Sequence, residues 1–174
     1  NPDSPAYKEI SRISFGEPVS EIYIQLASAY LMLDRYEEAL EAASKAIKSK
    51  TILKEYIYIY AHCAIIVGSL NKALALLEEL HETTPDYQPV LFLMAVIFYL
   101  ESKNEKAQEF IKELLQKRVQ ITPNLNKIAL QLYRHGKRNA SLLILDAMIE
   151  NKLNDEETAR LLEIVNYHRP CRWP

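Results

Sequence analysis

Three alanines, Ala39, Ala73 and Ala107, recur at one fixed interval, and no other feature of the chain constrains its fold so tightly. Each follows a short polar turn: Asp34-Arg35-Tyr36-Glu37-Glu38, Gly68-Ser69-Leu70-Asn71-Lys72 and Ser102-Lys103-Asn104-Glu105-Lys106. An apolar run at helical spacing precedes each turn, and another follows it. A fixed period means one supersecondary unit copied in tandem, and a period of about 34 residues is that of a helix–turn–helix unit. One such unit cannot bury its apolar face alone, whereas stacked copies can. The expected class is therefore all-α, a solenoid of helical hairpins.

Composition agrees. At 174 residues the chain suits one solenoid body rather than two independent enzyme domains. A hydrophobic content of 49% supports a core, and only 3 glycines argue against phosphate loops, hairpins and β-rich folds. A formal charge of -2 predicts no general attraction to nucleic acid or anionic membrane. The two cysteines make no disulfide framework. Cys63 lies inside an apolar helix as an inert core thiol, and Cys171 lies in a proline-bounded tail. No signal peptide is visible and the apolar stretches are too short for a membrane span, which says little about compartment; the cytoplasm is only slightly favoured. The start at Asn1-Pro2-Asp3, without methionine, leaves open a fragment of a longer array or a processed chain that has lost a signal peptide.

Along the chain, residues 1–19 form an N-terminal segment with a short helix expected over Ala6–Ile13 and a break at Gly16-Glu17-Pro18. Ser20 is placed as the N-cap of the first repeat, residues 20–53. Its helices carry Ile22, Tyr23, Leu26, Ala27, Tyr30 and Leu33, then Tyr36, Ala39, Leu40, Ala43, Ala46 and Ile47. Repeat two spans 54–87, with helices over Glu55–Val67 and Asn71–His81. Thr84-Pro85-Asp86 ends it, and Pro89 suits the first turn of the next helix. Repeat three spans 88–121, pairing Val90–Leu100 with Glu105–Arg118, and Thr122-Pro123-Asn124 is taken to close it. A degenerate fourth repeat, 122–153, has helices over Asn126–His135 and Asn139–Glu150. Ala140 and Ala147 take its small-residue places, one residue short of the period. Asn154 with Glu157 forms a capping box for a polar terminal helix over 154–168, followed by the tail 169–174.

The first repeat resembles the tetratricopeptide repeat family. Tyr23, Leu26, Ala27, Tyr30, Ala39 and Ala46 stand where that motif has aromatic, large, small, aromatic, small and small residues. Small residues let two antiparallel helices approach, while large ones fill a neighbour's groove. Tyr60, Ala61, Ala64, Gly68, Ala73 and Pro85 match in the second repeat, and Met94, Ala95, Phe98 and Ala107 in the third. The resemblance covers residues 20–121 well and 122–153 weakly. It implies a right-handed superhelix with first helices on the concave face, and it is nearly silent on the partner.

A helix that is apolar all round is normally buried all round. Two first helices fit: Tyr56–Val67, with His62 as its one strongly polar residue, and Val90–Leu100, with none. Subtracting the residues used in helix pairing leaves a candidate concave face of Ile24, Ser28, Leu31, Tyr58, His62, Ile65, Phe92, Val96 and Tyr99, joined by Leu130 and Tyr133. Three readings follow. The chain covers these residues itself, through tight curvature or through residues 1–19 folding back. Alternatively they bind a protein or peptide segment with apolar anchors, oriented by tyrosine hydroxyls and His62. Self-association through the same surface is the third. Relatives that clamp acidic C-terminal tails of heat-shock chaperones use lysine, arginine and asparagine. The corresponding places here are Ile24, Ser28, Ile59, Pro89 and Leu93, which argues against that ligand.

No catalytic constellation is expected. His62, His81, His135 and His168 sit in separate elements, without the paired ligands of a metal site. There is no nucleophile elbow, Walker loop or dinucleotide fingerprint. Glu78-Glu79 and Asp155-Glu156-Glu157 read as solvated faces. Arg134, His135, Lys137 and Arg138 cluster at a turn, with Arg169 and Arg172 in the tail, but lack the broad stripe of a nucleic-acid surface. The function expected is non-catalytic and free of cofactor: a scaffold or adaptor holding a hydrophobic or helical segment. The alternatives are a secretion-type chaperone for a hydrophobic partner, or the repeat region of a larger enzyme or assembly factor.

Overall fold

A computed structural model of the chain describes residues 18–48 and 52–167, and the described residues form nine α-helices and no strand. These are α1 (Pro18–Met32), α2 (Tyr36–Ala46), α3 (Lys54–Val67), α4 (Leu70–Thr83), α5 (Gln88–Leu100), α6 (Asn104–Gln116), α7 (Thr122–Arg134), α8 (Arg138–Glu150) and α9 (Glu156–Tyr167). The expected helix over Ala6–Ile13, Gly16-Glu17 and the tail with His168, Cys171 and Trp173 lie outside the described residues.

The chain divides into two compact units, one up to Leu76 and one from Leu77, the division falling inside α4. In the first, α2 packs on both α1 and α3, and α1 touches α3. In the second, α5 pairs with α6 and α7 with α8, α8 reaches α5, and α9 lies on α7 and α8. The helices pair through a seam of small residues. Ala27, Ala61, Ala95 and Ala129 follow one another at the repeat period on the first helices, and all are fully buried. Ala39, Ala73 and Ala107 match them on the second helices and are fully buried too.

The fourth pair keeps this register instead of losing a residue. Ser141, one period after Ala107, is fully buried, while Ala140 is only half-buried. The Ser141 hydroxyl donates to the Ala129 carbonyl at 2.8 Å. Met148, not Ala147, continues the series Ala46, Leu80, Leu114, and all four are buried. A serine with an internal hydrogen bond does here the packing that alanine does at 39, 73 and 107.

The turns repeat as strictly as the seam. Asp34, Gly68, Ser102 and Gly136 all have left-handed backbone, each one period after the last. The residue after each donates its N–H five residues back: Arg35 to Tyr30, Ser69 to Ala64, Lys103 to Phe98 and Lys137 to Leu132, at 2.8–2.9 Å. This is the Schellman closure that satisfies carbonyls at a helix end. Arg118 and Lys152, also one period apart and left-handed, close α6 and α8 the same way.

Three helix starts differ from expectation. α1 begins at Pro18, so Ser20 lies buried in the first turn rather than capping it. Thr122-Pro123 opens α7 instead of closing the preceding repeat, since proline without an N–H suits a first turn. Pro89 opens α5 as expected. The terminal cap is Asp155, not Asn154. Its carboxylate accepts from Thr158 N at 2.9 Å, and Thr158 Oγ1 accepts from Asp155 N at 3.1 Å. The box is closed by threonine in place of glutamate.

Candidate functional site

The predicted face falls on α1 and α3 in the first unit and on α5 and α7 in the second. In the first unit Ile24, His62 and Ile65 are buried, whereas Ser28, Leu31 and Tyr58 are half-buried. The Ser28 hydroxyl is spent on its own helix, donating to the Ile24 carbonyl at 3.0 Å. Tyr58 and His62 meet edge to face, with ring centroids 6.2 Å apart. Burial pushes the Tyr58 hydroxyl above the ordinary tyrosine range. Tyr58 and Leu31 are thus the large apolar residues of this set that present surface.

In the second unit Phe92, Val96 and Tyr99 are buried, along with every other residue from Val90 to Phe98. The Tyr99 hydroxyl accepts from Asn151 Nδ2 at 2.8 Å, and the same nitrogen donates to the Ala147 carbonyl at 2.8 Å. Burial raises the Tyr99 hydroxyl, with the Asn151 hydrogen bond acting against that rise. Tyr99 therefore ties α5 to the end of α8. Tyr133 and Leu130 on α7 are half-buried.

Several polar tethers and surfaces were not anticipated from the sequence. Tyr56, buried on α3, donates to Glu21 of α1 at 3.0 Å. Asn126, Asp155 and Thr158 form a network joining α7 to the start of α9: Asn126 Nδ2 donates to Asp155, and Thr158 Oγ1 donates to Asn126. Arg138, read from sequence as part of a basic cluster, caps the last turn of α9 by donating to the Val165 carbonyl at 2.7 Å. A cleft of about 310 Å³ lies between the turns after α6 and α8, floored by Leu115, Val119, Ile121 and Leu153. The signal for it was the recurrence of an apolar residue one period apart, at Val119 and Leu153.

Cys63 is fully buried, and burial pushes its thiol up to about 12. Among the described residues no group of three or more histidine, cysteine, aspartate or glutamate side chains is placed to hold a metal ion. No helix among them is long and apolar enough to cross a membrane.

No protein-family model matches the chain. The TPR repeat-containing protein YpiA of Bacillus subtilis (strain 168) is 24% identical over 110 residues, a stretch covering 63% of this chain and 26% of that protein. The chain thus matches about a quarter of the relative's length. Repeat length, hairpin architecture and the small-residue seam agree with that likeness: the chain is an all-α array of helical-hairpin repeats, consistent with the tetratricopeptide type.

Proposed function

We propose that the chain is a non-catalytic scaffold that binds an apolar peptide or helical segment of a protein partner on the first helices of its first unit, α1 and α3. The supporting observation is that Leu31 of α1 and Tyr58 of α3, on two first helices in contact with each other, are both half-buried and present surface. Tyr133 offers a similar surface in the second unit. Such side chains supply anchoring area together with a hydroxyl that orients a ligand. Proteins built of these repeats typically act by binding rather than catalysis, and the likeness to a repeat protein supports the same reading here.

The test uses Leu31→Glu combined with Tyr58→Glu, both at half-exposed positions. The wild-type chain should retain a polypeptide from its native source that the double variant loses, with far-UV circular dichroism unchanged. Retention of the same polypeptide by both forms would sink the groove reading.

A further inference from the structure

We draw no further inference here: the strongest candidate, the exposed apolar face of α1 formed by Val19, Ile22 and Leu26, carries none because nothing among the described residues shows what covers it.

Discussion

Ser141 Oγ lies 2.8 Å from the carbonyl oxygen of Ala129, so the small-residue seam of the fourth helix pair is fastened by a hydrogen bond where earlier pairs have alanine alone. The site tolerates a small side chain and little else. Ser141→Ala restores the residue found at 39, 73 and 107 and should cost no more than about 1 kcal/mol in urea denaturation. Ser141→Leu inserts volume into a filled seam and should cost about 1–3 kcal/mol or more.

The tie between α7 and α9 depends on Thr158. Its buried hydroxyl donates to Asn126 Oδ1 at 2.9 Å. Thr158→Val keeps the shape but leaves that buried oxygen without this donor. A loss of about 1–3 kcal/mol is expected, measured as earlier proteolysis or faster amide exchange in α9 than in α5.

The same cap carries a pH dependence. The Thr158 N–H, assisted by the Asn126 amide, holds the Asp155 carboxyl below the ordinary aspartate range. A carboxyl depressed in the folded state stabilises the fold above its unfolded value, near about 3.9. That contribution disappears as pH falls through the folded value. Thermal midpoints taken between about pH 6 and about pH 2 should therefore fall less steeply in Asp155→Asn than in the wild type. Parallel curves for the two forms would show that the cap contributes nothing to acid sensitivity.

Gly136 shares its turn position with Asp34, Gly68 and Ser102, so the left-handed backbone is required there and glycine is not. A side chain at Gly136 would meet nothing within 4 Å. Gly136→Ala should cost about 1 kcal/mol from backbone strain alone, and Gly136→Asn less, because asparagine enters this region more readily. Chemical denaturation of the two variants side by side separates strain from crowding.

Cys63 should react with iodoacetamide only through opening of the fold. Its thiol is fully buried and pushed up to about 12, so at pH 8 little thiolate forms in the folded state. Peptide mapping should find Cys63 unmodified in native buffer and labelled promptly in denaturant. Rapid native labelling would mean that α3 opens locally.

The hairpin order was legible because alanine spacing and turn polarity both report close helix packing. Ser141 was missed because a serine in sequence reads as polar, and its hydroxyl is satisfied only by the carbonyl of a neighbouring helix. Thr122-Pro123 fits a helix stop and a helix start equally well, and the choice rests on what lies upstream. For the candidate site, apolarity located the helices but could not distinguish an open face from a covered one. Phe92, Val96 and Ile65 look like Leu31 and Tyr58 in a sequence, yet only the latter two present surface. Nor could pattern alone assign the Tyr99 hydroxyl to Asn151, 52 residues away.

The six identical turn closures carry a consequence for how the chain can change length. Because each closure is local and recurs in the same register, a cut at one turn and a join at its equivalent preserve every hydrogen bond at the junction. A deletion or duplication of one full period, or of a multiple of it, leaves the seam continuous. A change one residue longer or shorter rotates a helix by about 100° and puts alanines where leucines must go. For this chain, tolerated change in length comes in steps of one whole repeat.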